Sequence, residues 1–138
     1  MGFLSMSMID EISPVTSIPT LRQLAMPKDT NALGTIFGGV ILSQIDQAAA
    51  IAAHRYHHGR VVTVAMDQVE FKKPVFVGDV VSYYVNITRI GNTSVTMDVS
   101  VWAQRQFAEE GVFIPVTEAS VTMVAVDDKC HPISLSES

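Results

Sequence analysis

Between Asn31 and Arg60 the chain holds its only long helical pattern, with Ile41, Ile45, Ala48, Ala49, Ala52 and Ala53 recurring at three- and four-residue spacing. A helix this apolar cannot stand alone in water. It must lie against a sheet that covers most of its circumference, which limits the chain to folds that wrap strands around one helix. The helix is expected to begin near Gly38 and to end around Tyr56, where His57, His58 and Gly59 combine last-turn histidines with a terminating glycine. From Val40 to Ala53 its only charged side chain is Asp46, flanked by Gln44 and Gln47. An ionised carboxylate withdrawn from water is costly unless it is paired or faces a polar cleft, so Asp46 requires an explanation.

The rest of the chain reads as strands. Thr20 to Met26 is a short strand ended by Pro27, and Lys28 to Thr35 is polar and turn-like. Arg60 to Phe71 is apolar on both parities through Val61, Val62, Val64, Met66 and Val69, the pattern of a strand covered on both faces. Val80 to Ile90 points Val81, Tyr83, Val85 and Ile87 to one side, and Gly91-Asn92 then makes a tight hairpin turn. Ser94 to Gln104 turns Val95, Met97, Val99 and Val101 inward, with Thr96, Asp98 and Ser100 outward. After a polar connection from Gln106 to Gly111, Val116 to Val126 carries Ala119, Val121, Met123 and Ala125 on one face. The expected order is one strand, the helix, then four strands in an antiparallel meander, an α+β arrangement. A lipocalin-type barrel is the structural rival, but its helix would be terminal and amphipathic.

A chain of 138 residues forms one domain, expected over residues 20–138 after a flexible tail of residues 1–19. With 48% hydrophobic and 17% charged residues, part of its surface is expected to be covered by another subunit. A net charge of −5 argues against a nucleic-acid-binding face. No apolar run is long enough to span a bilayer, and Asp10 and Glu11 interrupt any signal-peptide pattern. A single cysteine, Cys130, cannot form an intrachain disulfide. The expected location is the cytoplasm, with no membrane partner.

Several residues are candidates for chemistry. Gly38 and Gly39 leave the first helical N–H groups unshielded, which suits an anion or a developing oxyanion, or they simply permit close packing. Asp46 follows Gly38 by eight residues, on the order of 12 Å along the axis and on the same side. That is too far for both to serve one carbonyl, so a shared site needs the amide of one helix and the carboxylate of another, from two symmetry-related subunits. Otherwise Asp46 is satisfied by backbone or by Ser43. Asn31 can hydrogen-bond a water or a carbonyl, or only shape its loop. His54, His57 and His58 crowd the helix end without a further metal ligand and are expected to interact with its dipole. Ser43 lies in no nucleophile motif, and Cys130 looks incidental. Arg60, Lys72, Lys73 and Arg89 are the middle-chain cations available to a phosphate, and Gly91-Asn92-Thr93-Ser94 offers amides and hydroxyls or is a plain hairpin.

The runs Ala25-Met26-Pro27, Asp29-Thr30-Asn31, Ile36-Phe37-Gly38-Gly39, Ser43-Gln44, Asp46, Gly59 to Val64, Pro74-Val75, Val77 to Val81 and Thr93-Ser94-Val95 together resemble the bacterial YciA-type acyl-CoA thioesterases of the hot-dog superfamily. The likeness covers roughly Leu24 to Val126. It implies the hot-dog fold, about five antiparallel strands around one long helix, and hydrolysis of acyl-CoA to a free acid and CoA. No metal or prosthetic cofactor is implied, since CoA is part of the substrate. By position Asp46 matches the catalytic carboxylate, as general base or nucleophile, and Asn31 matches the residue that orients the water or thioester. Gly38 matches the oxyanion amide, with Gly39 beside it. Arg60, Lys72, Thr93 and Ser94 fall where such enzymes contact the CoA nucleotide. The resemblance also implies a catalytic homodimer and a hexamer built as a trimer of dimers. The rival readings are a hot-dog hydratase or dehydratase, which normally needs a histidine that this helix lacks near its start, and a non-catalytic acyl-CoA-binding module.

Overall fold

The helical spacing is realised as α1 (Gly38–Ala53), and the six residues that carry the pattern are the six that α1 buries. Its open stripe is Gly39, Ser43, Gln47 and Ile51, four residues apart, so the sheet covers the helix on all but one side. The computed structural model describes residues 18–105 and 112–137, so most of the expected N-terminal tail and the 106–111 connection lie outside the described residues. The α-helix stops at Ala53 rather than near Tyr56. Beyond it Arg55 and Tyr56 donate to carbonyls three residues back, at 3.2 and 2.9 Å, so the chain tightens before turning out.

Among the described residues five strands curl around α1: β1 (Leu21–Leu24), β2 (Arg60–Phe71), β3 (Val80–Ile90), β4 (Ser94–Gln104) and β5 (Ile114–Val126). All pairings are antiparallel, and α1 touches all five strands. The inward residues expected of β4 and β5 are buried, as are Val81 and Tyr83 of β3. Gly91 donates to the Ser94 carbonyl at 2.8 Å, closing the expected β3–β4 turn.

The sheet order is β1-β3-β4-β5-β2, which corrects the expected four-strand meander. Only β3, β4 and β5 run as a meander. Residues 72–79 carry the chain across the sheet, so β2 pairs with β5 instead of β3 and becomes an edge strand. Within one chain β2 is also not covered on both faces, since Val64 and Phe71 are 57% and 53% exposed. Its ladder is also irregular, with register breaks between Thr63 and Ala65 and between Asp67 and Glu70. At the second break Gln68 has φ +52°, a left-handed conformation uncommon for a residue with a Cβ.

The β2–β3 crossing is pinned at two places. Gly78, at φ +92°, donates to Ala25 at 2.9 Å in a turn that a side chain would strain. Asp79, buried at 2% exposure, accepts the Phe76 N–H at 2.9 Å and the Arg105 guanidinium. Arg105 also donates to the Pro74 carbonyl at 3.1 Å and lies over the Phe76 ring, 4.8 Å from its centroid.

Candidate active site

Asp46 has a partner, and it is Thr63 of β2: the threonine hydroxyl donates to Asp46 Oδ1. Ser43 instead donates to the Val40 carbonyl at 2.9 Å, one turn back in its own helix. The contact ties the centre of α1 to the edge strand and leaves the half-buried carboxylate a second oxygen for a water or an acyl carbon. Thr63 was missed as a site residue because threonine is an ordinary strand former. Its one signal was that it is the only hydroxyl in the run from Val61 to Ala65.

Eight residues earlier, the start of α1 has no side-chain cap and no acidic residue in its first turn. Gly38 faces β2 near its far end, and a Cβ added there would meet the Phe71 ring at 3.2 Å. Gly39 lies on the open stripe, with free space where a Cβ would stand. Beside Gly38 opens a cleft of about 330 Å³, lined by Ile36, Ile41, Phe71, Lys72, Lys73 and Val75 among others.

Asn31 is engaged with its own loop. Its Oδ1 accepts N–H groups of Leu33 and Thr35 at 2.8 and 3.2 Å, and its Nδ2 donates to Thr35 Oγ1 at 2.9 Å. The loop hooks onto the crossing segment through Ile36, which donates to the Val75 carbonyl at 2.9 Å, and so delivers Gly38 to the cleft.

The residues expected at the CoA nucleotide divide between two ends of the sheet. Arg60 pairs with Val126 and Ser94 with Val124, while Thr93 accepts from Ala125 at 2.9 Å, so these three gather beside the Asp46–Thr63 contact. Lys72 lies at the opposite end, where Phe71 pairs with Thr117. The two ends are on the order of 30 Å apart along β5. Lys72 is also engaged, with its ammonium 2.5 Å from Glu118, whereas Lys73 is exposed at the same cleft. Arg60 donates to the Asp128 carbonyl at 3.1 Å.

The histidines do not act together. His57 is buried, and its Nδ1 lies 3.1 Å from the Leu135 carbonyl, tying down the C-terminal segment instead of the helix dipole; His54 and His58 are exposed. Among the described residues no three His, Cys, Asp or Glu side chains are grouped to hold a metal ion, and no helix is long and apolar enough to cross a membrane.

A five-strand antiparallel sheet curled around one helix is the arrangement of the hot-dog class. The comparisons give that class a family: residues 33–106 match the thioesterase superfamily, to which the chain belongs. Acyl-CoA thioester hydrolase YciA of Escherichia coli is 47% identical over 116 residues, 83% of this chain and 88% of that protein. The fold is similar to that of HI0827, described as a hexameric broad-specificity acyl-coenzyme A thioesterase and solved with an aspartate replaced by alanine (TM-score 0.82, 43% identity, 89% of each chain). It is also similar to an acyl-CoA hydrolase of Staphylococcus aureus in complex with butyryl coenzyme A and coenzyme A (TM-score 0.75, 31% identity, 83% of this chain and 68% of that one).

Proposed function

We propose that this chain hydrolyses acyl-CoA thioesters to a carboxylic acid and CoA, at sites shared between two copies. The observation that carries the reading is the lone carboxylate Asp46, held by Thr63 against an exposed edge strand two turns from an uncapped helix start. The relatives named as acyl-CoA thioester hydrolases support the substrate class. The asparagine and the threonine replaced by alanine in the Staphylococcus aureus enzyme stand 32 positions apart, the separation of Asn31 and Thr63 here.

The edge strand supplies the geometry of sharing. Antiparallel pairing of β2 with its counterpart about the strand's middle sets the Thr63 end of one copy beside the Phe71 end of the other. Asp46 of one copy then approaches Gly38 of the second, and the Arg60, Thr93 and Ser94 group approaches Lys72 and Lys73. Such pairing covers Val64, Val69 and Phe71. The hexamers described for relatives support further assembly into a trimer of such dimers.

At such a site the Gly38 N–H and the positive helix end receive the negative charge that develops on the thioester oxygen. Asp46 takes a proton from water as the water oxygen bonds to the acyl carbon, or attacks that carbon itself to form an anhydride that water then opens. In either route the carbon–sulfur bond breaks and the CoA thiolate takes up a proton. Thr63 fixes which carboxylate oxygen is presented, and Asn31 shapes the loop before the oxyanion amide. An oxygen-isotope single-turnover experiment separates the routes, since label in Asp46 marks direct attack.

Thiol release over a series of acyl-CoA esters tests the reading. Asp46→Asn should lose at least about 100-fold in turnover, and full activity in that variant overturns the mechanism. A binding module would retain CoA esters without releasing thiol, and a hydratase would change the acyl chain instead. Co-expressing Asp46→Asn with Gly38→Val tests the sharing. In a hybrid dimer one site carries both lesions and the other neither, so about a quarter of native activity should return; none returns if each site lies within one chain.

A further inference from the structure

Three buried residues, Ile36, Ile41 and Val75, line two spaces at once. On one side is the open cleft of about 330 Å³ beside Gly38. On the other is a narrow, partly open space of about 10 Å³ that reaches Val40, Gln44 and Val81 and opens toward Gln23 and Leu24. The second space is barely large enough for one water. It is bordered by Gln44, whose Oε1 accepts the hydroxyl of buried Tyr83. Burial pushes the Tyr83 phenol far above its ordinary pKa, so it stays a donor, and Gln44 must present its oxygen to it.

We infer that the Ile36–Ile41–Val75 wall is the acyl-length gauge of this enzyme, with the Gln44–Tyr83 pair as the polar stop behind it. The inference rests on the thioesterase reading above. An acyl group whose carbonyl sits at the Gly38 amide enters the cleft with its first carbons against Ile36 and Ile41. A short chain fills the apolar side of the cleft. A longer one meets the wall, because the space behind has room for no more than about one such group. Forcing past it would press hydrocarbon onto the Gln44 amide and cost that group its hydration. The acyl groups accepted are therefore short, and the wall residues decide where acceptance ends.

The test is kcat/KM for thiol release from acetyl- to palmitoyl-CoA by the full chain, native and in two variants. Native enzyme should show a break at a defined chain length. Val75→Ala joins the two spaces and should move the break outward, raising kcat/KM roughly fourfold for each methylene newly admitted. The pair Gln44→Leu with Tyr83→Phe removes both partners of the polar stop together, leaving no unsatisfied hydroxyl, and should shift the break the same way. A flat native profile overturns the gauge. So does a variant effect equal at all chain lengths, which would mean the cleft holds the pantetheine arm. Absence of thiol release from any ester by native enzyme overturns the thioesterase reading instead, so the two failures are distinguishable.

Discussion

β5 and β2 are both apolar strands, hydrogen-bonded to each other along most of their lengths, yet one is well buried and the other is largely open. β5 lies between β4 and β2 and beneath α1, so its alternate residues reach complete burial. Among the described residues β2 has a strand neighbour on one side only. A strand apolar on both parities thus announces that both faces will be covered without saying by what. Under the proposed function the cover for β2 is a second copy, and the shared site depends on the strand that the single chain leaves unfinished.

The sharpest way to break this contrast is to place a charge on each strand. Val121→Asp puts a carboxylate at a fully buried point of β5 and should cost several kcal/mol, enough to prevent folding, seen as loss of the cooperative melt. Val64→Asp on β2 should leave the chain folded but dissociated, with activity down at least roughly 100-fold and restored in part at high protein concentration. Full activity from a monomeric Val64→Asp protein would sink the shared site.

Gentler truncations refine the same comparison. Val121→Ala should lower stability by about 1–3 kcal/mol, from lost burial and the cavity left behind. Val64→Ala should change it by less than about 0.5 kcal/mol in the dissociated chain while weakening assembly, measurable by sedimentation against concentration. Thr63→Ala should cost roughly ten- to 100-fold in kcat with little change in melting, because it frees the Asp46 carboxylate to turn.

The smallest effect belongs to the outer face. The Asp98 carboxyl is held above its ordinary range, first by burial and then by the Glu118 charge. The folded chain therefore grips that proton more tightly than the unfolded chain, and stability falls as pH rises from about 3.8 upward. Asp98→Asn should raise Tm at pH 7 by about a degree or two, and the gain should vanish in acid below that range. A gain that persists in acid would rule out the charge as its source.

How much of this was legible in the sequence follows from what periodicity can encode. Ile41, Ile45 and the four alanines of α1 announced a single covered helix, and Val95 to Val101 announced a core strand, because burial imposes a repeat on residue type. Strand order imposes none. The eight residues between β2 and β3 suit a simple turn or a crossing equally well, so the edge position of β2 could not be read. The Asp46 puzzle was legible, and so was its distance from Gly38, since both follow from helix geometry. Thr63 was not, because a hydroxyl that serves a carboxylate looks the same in sequence as one that serves a strand.

The left-handed kink at Gln68 bears on what such an edge does when no proper partner is near. A straight apolar strand of twelve residues with one free side would recruit any extended chain, and copies of itself without limit. The kink breaks the line of free N–H and C=O groups after Asp67. A break of this kind interrupts open-ended strand addition along an edge, one of the devices by which sheet edges limit unwanted pairing.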